Sequence, residues 1–515
     1  MGYVGLVLGA LAVILISILW RMVVHLILKP YAITRSFKKQ GVEGPRYKFW
    51  SGSLEEIRSM KKAGREMIME KHTHDIIPRL LPHYVKWLSQ HGEPFLYWFG
   101  PTPRICITSP EQVKQILSNK FGFFGKSKPN PNIMALFGKG LVMVEGSDWA
   151  RHRRVVSPAF AMDKLKMMTT KVAECTLSMF ENWRDQAKHQ RGVVEVSQQF
   201  QELTADVISH TAFGSNYAGG KKVFLAQKEL QAIVLATVNS VEIPGFKYLP
   251  TKRNVRKWKL VRRVKDTLMT IVQGRIVSNG SSYGNDLLGL MLEACKTEPN
   301  GKKGNLSMSM DEIIEECKTF FLAGHETTSH LLTWAMFLLS INPDWQERLR
   351  EQVLSECGME FPNSDLLGKL NLVTMFLFEV LRLYSPIPTM LRMAIRDMKL
   401  GSLTIPKGTC LTIPLPIIHR NKEVWGDDAN EFNPMRFENG IAKAANHPNA
   451  FLAFSIGPRS CVGQNFAMLE AKTVLAMILQ RFSFSLSPEY KHAPADIIAV
   501  QPQFGLPIVV TPLHD

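Results

Sequence analysis

The chain opens on an apolar stretch. Residues 2–20 carry no charged side chain and consist mainly of Leu, Ile, Val, Ala and Gly. About 19 residues at 1.5 Å each reach roughly 28 Å, enough to cross a bilayer core. A basic flank follows in Arg21, Lys29, Arg35, Lys38 and Lys39, with nothing basic before the stretch except the amino terminus. The positive-inside rule then leaves the bulk of the chain in the cytosol. A cleaved leader would be shorter and would end in an Ala-x-Ala-like site. Pro30 and Gly44-Pro45 predict breaks, so the chain reads as an anchor over 1–28, a basic linker with a Gly-Pro hinge over 29–60, and a folded body over 61–515.

Helical periodicity dominates that body. Ser309-Met-Asp-Glu312 has the form of a capping box, and the pattern behind it runs with few breakers to Ile341, where Asn342-Pro343 stops it. A helix of about 32 residues is about 48 Å long, enough to cross a large domain. Short Pro-rich extended segments fall near 92–108 and 392–416. The expected architecture is mainly α with small β-sheets, in a single large domain behind the N-terminal helix.

Composition narrows the function classes. With 45% hydrophobic and 21% charged residues and no internal repeat, the chain is an ordinary folded protein. Its seven cysteines are scattered, odd in number and without a CxxC pair, which argues against a disulfide framework or zinc ribbon and for a reducing compartment. The net charge of +17 is dispersed and no nucleic-acid motif accompanies it, so no nucleic acid is expected as partner. The densest basic run, from Lys252 to Lys265, lies on an amphipathic helical pattern. It reads either as a solvated face or as a contact for anionic lipid or an acidic redox partner.

Candidate chemistry centres on Phe454-Ser-Ile-Gly457-Pro-Arg459-Ser-Cys461-Val-Gly463, with a helical pattern from Gln464 directly behind. A cysteine entering a helix N-terminus meets backbone N–H groups and the positive dipole end, both favouring thiolate. Gly457 and Gly463 give the turn freedom, and Arg459 offers a cation to an anionic ligand. A thiolate so presented suits an axial ligand to haem iron; taken alone, Cys461 reads as a buried, inert thiol. Midway along the long helix, Ala323-Gly324-His325-Glu326-Thr327-Thr328 combines small residues with a hydroxyl beside a carboxylate, a pair able to deliver protons. His325 and His330 resemble a zinc motif, but five residues separate them by about 140°, so they cannot share one metal. Glu379 and Arg382 stand at i, i+3, and Trp149 and Arg153 one turn apart.

Taken together these segments resemble the cytochrome P-450 family. The Cys461 loop looks like its haem-binding loop and the hexapeptide like its oxygen-activation motif. The resemblance implies haem b on Cys461, proton management by Glu326 and Thr327, and Trp149, Arg153, Arg392 and Arg459 on the haem propionates, with Phe454 beside the cofactor. It implies a structural Glu379–Arg382–Arg436 lock, although Met435 replaces the usual Glu of the last motif. It implies haem between the helix over 313–339 and the Cys461 loop, so that 61–515 is a haem-thiolate catalytic domain. Substrate-facing segments by resemblance are 126–141, 320–323, 387–390 and 503–506, largely apolar through Ile133, Met134, Phe137, Phe320, Ile387, Met390 and Phe504. The implied activity is hydroxylation of a hydrophobic small molecule, with electrons from an NADPH-dependent cytochrome P-450 reductase, at the endoplasmic reticulum membrane with the catalytic domain cytosolic. Residues 35–47 and 74–84 look like plant enzymes of the 72 clan, nearest to 709-like members, which act on fatty acids, terpenoids and isoprenoid hormones such as cytokinins. Two alternatives stand beside this reading: a haem-thiolate isomerase or dehydratase needing no external electrons, and a non-catalytic haem-binding protein. Sequons at Asn279 and Asn305 are expected to stay unglycosylated on a cytosolic domain.

Overall fold

The computed structural model describes residues 2–513 except 121, 128–129, 190–191, 215–216, 238–244, 279–282, 285 and 296–306. Both sequons fall largely outside the described residues.

The N-terminal helix spans Gly2–Val23 and continues through a π turn, Val24–Leu28, into Lys29–Lys38. Leu6, Leu11, Ile14, Leu19 and Trp20 are exposed along it, as a helix bound for lipid requires. The break expected at Pro30 is absent. Proline lacks an N–H and its ring crowds the carbonyl four residues back. The π turn, in which Lys29 N–H reaches Val24 O, widens the helix at that point and accommodates the ring. The chain leaves the helix near Gly41, whose φ is +78°. The linker over 29–60 is not a free hinge either. Ile33, Phe37 and Val42 are buried with Leu96, Trp98 and Ile105. Gln40 exchanges hydrogen bonds with the Thr404 backbone at 2.6 and 3.1 Å. A boundary at 60/61 would also cut the Leu54–Glu66 helix.

The body is helical with small sheets. Its largest sheet orders Phe95–Phe99, Thr102–Cys106, Cys410–Pro414, Thr389–Ala394 and Phe124–Gly125, with one parallel pair between the second and third of these strands. The central helix, Met310–Ile341, begins at the capping box: Ser309 N–H donates to Glu312 Oε2 at 2.7 Å and Glu312 N–H to Ser309 Oγ at 3.3 Å. Most of its residues are buried, so it forms the axis of the main core. The Val196–Phe213 helix crosses it closely. A Cβ on Gly324 would come within 2.8 Å of Ile208 Cδ1, so a larger residue there would push the Ile208 side chain aside. The Lys252–Ser278 helix is amphipathic, burying Leu260, Val264, Leu268 and Val272. Part of its basic run is engaged internally, with Arg256 paired to Glu229, Lys265 to Asp311, and Lys257 donating to Asn132.

Candidate active site

The segment before Cys461 is a tight loop. Cys461 N–H donates to Phe454 O at 2.9 Å and Ser460 N–H to Gly457 O at 3.0 Å. Gly457 adopts φ +77°, and a Cβ there would stand 2.4 Å from Leu117 O, so this position requires glycine on both counts. Gly463 has an ordinary φ of −91° and caps the Gln464–Arg481 helix.

Cys461 opens into a cavity between its own loop and the central helix. Its floor is the loop at Ser460–Gly463 with Phe466, and its roof is the central helix at Phe320, Ala323, Gly324 and Thr328. Phe160 and Phe320 stack across one wall at 5.7 Å. The sulfur lines this cavity, and its residue keeps exposed surface there. Burial pushes its pKa up, and the Gly463 N–H and Arg153 cation oppose that only in part. A metal on the sulfur would reinforce the thiolate that the helix N-terminus and the Gly463 N–H also favour.

Cations gather along one edge. Arg153 Nη1–H donates to Ser460 O at 3.1 Å, and the Arg459 guanidinium lies 4.7 Å over the Trp149 ring. Arg459 also pairs with Glu145 at 3.0 Å. Lys126 lines the same cavity; burial and the neighbouring charges of Arg392 and Arg459 lower its pKa to about 7. Buried Arg392 is lowered to about 10 by burial and Arg459. Glu145 is the acid that acts on all three, so the edge carries excess positive charge suited to an anionic ligand. One sulfur on the floor, apolar walls and an uncompensated cationic rim fit a haem with its two propionates.

The structure thus brings Cys461, Trp149, Arg153 and Arg459 together, with Arg392 beside them. Phe454 does not line the cavity; its carbonyl holds the Cys461 N–H instead. Thr327 is half-buried and donates to Ala323 O at 2.8 Å, while Thr328 faces the cavity. Glu326 turns away from it, accepting from Gln231 Nε2 at 2.8 Å and meeting His330 Nε2 at 3.2 Å. Burial acts to raise its pKa, but His330, His325 and Gln231 prevail and hold it at about 2. Of the expected substrate-facing residues, Phe320 lines this cavity, whereas Ile133, Met134, Phe137, Ile387, Met390 and Phe504 do not. Sequence reasoning missed Lys126 as part of the cationic rim and Ile208 and Phe160 as walls. Only Lys126, a cation opening a loop already singled out, carried a usable signal.

A model of the cytochrome P-450 family matches residues 77–507. The chain belongs to that family. It is 50% identical to Cytochrome P-450 709B1 of Arabidopsis thaliana, an alignment covering 99% of this chain and 100% of that protein. Identity to Cytochrome P-450 709B3 of the same plant is 49%, covering 98% and 97%. Secologanin synthase 1 of Catharanthus roseus is 41% identical over 96% of this chain and 95% of its own. These relatives agree with the plant 72 clan and its 709-like members. As a cytochrome P-450 the chain is a haem-dependent monooxygenase, an oxidoreductase whose iron is held by a cysteine thiolate.

Proposed function

We propose that this cytochrome P-450 is an anchored enzyme of the endoplasmic reticulum, its catalytic domain cytosolic. It inserts one oxygen atom of dioxygen into a C–H bond of a hydrophobic small molecule, with electrons passed from NADPH by a reductase. The observation carrying this reading is the meeting of Cys461 with three basic side chains, Lys126, Arg153 and Arg459, in one largely apolar cavity, with Arg392 beside it. Haem bound through Cys461 supplies the activation of dioxygen. Trp149 N–H, Arg153, Arg392 and Arg459, joined by Lys126, orient it by the propionates. Phe160, Ile208 and Phe320 exclude water and favour an apolar substrate. Thr327 holds a proton at Oγ1, bonded to Ala323 O, and Glu326, fixed on Gln231 and His330, is the carboxylate beside it. Glu326 and Thr327 are both present, which favours turnover with external electrons over isomerisation.

The reduced protein with carbon monoxide should show the thiolate-type Soret band, and C461S should lose it. NADPH consumption with reductase and a panel of fatty acids, terpenoids and isoprenoid hormones, with products read by mass spectrometry, tests the rest. A thiolate-type spectrum surviving C461S would defeat the assignment. Glycosidase should leave the protein's mobility unchanged, and a downward shift would reverse the orientation.

A further inference from the structure

Away from the cavity, three metal-ligating side chains converge between two helices. Cys175 projects from Met162–His189, and Asp206 and His210 from Val196–Phe213. Four residues apart, the last two share one face, the relation that His325 and His330 lack. The Cys175 sulfur, a carboxylate oxygen of Asp206 and a ring nitrogen of His210 all lie within 4.8 Å of one another.

Asp206 is hydrogen-bonded to the Cys175 thiol and ion-paired with His210, and one acceptor is still left over. Asp206 Oδ1 stands 3.3 Å from His210 Nε2, yet that oxygen is buried and has no hydrogen-bond partner. A buried acceptor left unpaired calls for an explanation, an ion among them. Two ligand atoms each about 2.05 Å from a zinc ion, at the tetrahedral angle, are separated by about 3.4 Å. The carboxylate oxygen and imidazole nitrogen are already spaced as two ligands of one such ion.

We propose that Cys175, Asp206 and His210 form a zinc site, completed by water. A sulfur donor disfavours calcium and magnesium, and one thiolate with one imidazole and one carboxylate suits zinc. The thiolate and carboxylate together cancel the charge of the dication, so partial burial is tolerable. Without the ion Cys175 is a free thiol. Binding therefore breaks the S–H bond, forms a Zn–S bond and releases one proton to solvent, with no change of oxidation state. Asp206 and His210 are partly exposed and give the ion a way in. A water would take the fourth position of the ion. Ile208 lies between the two helix ligands and lines the haem cavity, so the ion would fix that wall from behind.

The haem-loaded enzyme, with Cys461 occupied by iron, is equilibrated with micromolar zinc and dialysed, and both metals are counted by mass spectrometry. One zinc per iron is expected, and absorption at the zinc edge should show one sulfur neighbour among nitrogen and oxygen. C175S and H210A should each weaken binding by more than the roughly 10- to 100-fold typical of losing an outer partner. The carbon monoxide spectrum checks that the variants are folded; should C175S fail there, H210A, nearer the surface, decides. No zinc in the wild type, no sulfur neighbour, or undiminished zinc in a folded variant would each overturn the site.

Discussion

Arg382 faces Glu379 through two parallel hydrogen bonds of 2.7 Å, from Nε and Nη2, with neither side chain exposed. The remaining Arg382 donors reach the carbonyls of His419, Ala429 and Glu431, and Asn433 N–H donates to Glu379 at 2.9 Å. One buried pair thus ties its helix to the segment carrying residues 419–433. Arg436, expected as a third equal member, stands 3.8 Å from Glu379 and spends its hydrogen bonds on Asp428 and on backbone carbonyls. Removing either buried partner leaves the other charge unpaired, at a cost of about 3–5 kcal/mol. We predict that E379A and R382A lose the thiolate-type spectrum and fold poorly, while R436K keeps both. Thermal unfolding and haem content measure this, and a stable, haem-loaded R382A would contradict it.

The proton-handling assignment separates two adjacent hydroxyls. Thr327→Ala should retain the carbon monoxide spectrum and consume NADPH while releasing the electrons as hydrogen peroxide. A positioned proton donor contributes about 10²- to 10⁴-fold, so product per NADPH should fall by roughly tenfold or more. Thr328 lines the cavity and hydrogen-bonds buried Glu470, which makes T328A the matched comparison. Peroxide release from T328A with tight coupling in T327A would move the role one residue along the helix.

Much of this was legible before any coordinates, for reasons that differ by residue. The capping box at Ser309 and the stop at Asn342 are local signals, and local chemistry sets them. Cys461, Trp149, Arg153 and Arg459 carried motif spacing, and the fold collects them in one cavity. Ile208 and Phe160 carried none, because a cavity wall is made by packing between helices distant in sequence. Pro30 misled because its usual effect was cancelled by a π turn that no local pattern announces.

Lys126 yields a pH prediction. Burial, Arg392 and Arg459 hold its pKa at about 7 against the opposing pull of Glu145. Propionates bound nearby would raise that value, so the lysine takes up a proton on haem binding above pH 7. A group whose pKa rises on binding contributes fully below its free value, and that contribution fades as pH rises toward the bound one. Because Cys461 releases a proton in the same step, the Lys126 effect is read as a ratio: wild-type over K126Q hemin affinity should fall by up to about tenfold per pH unit above 7. K126Q should bind more weakly than wild type at pH 6 and approach it at higher pH, read by hemin titration across that range. An unchanged slope in K126Q would remove Lys126 from the cationic rim.

Phe37 decides where the anchor ends. It has no exposed surface and belongs to the cluster with Trp98, Ile105 and Leu411, at the far end of the helix that begins in the apolar stretch. Deleting residues 1–23 removes side chains that are exposed throughout residues 3–23, so the melting temperature should be preserved and the protein should leave the membrane fraction more readily. Deleting to Gly44 removes Ile33, Phe37 and Val42 from the core as well as the Gln40 bonds to Thr404. The Phe37→Ala change by itself should cost about 3–5 kcal/mol, the range for truncating a fully buried aromatic. Calorimetry on the two truncations separates a detachable helix from an integral one. Equal melting temperatures for both would mean that residues 24–44 are a linker after all, loosely laid on the sheet.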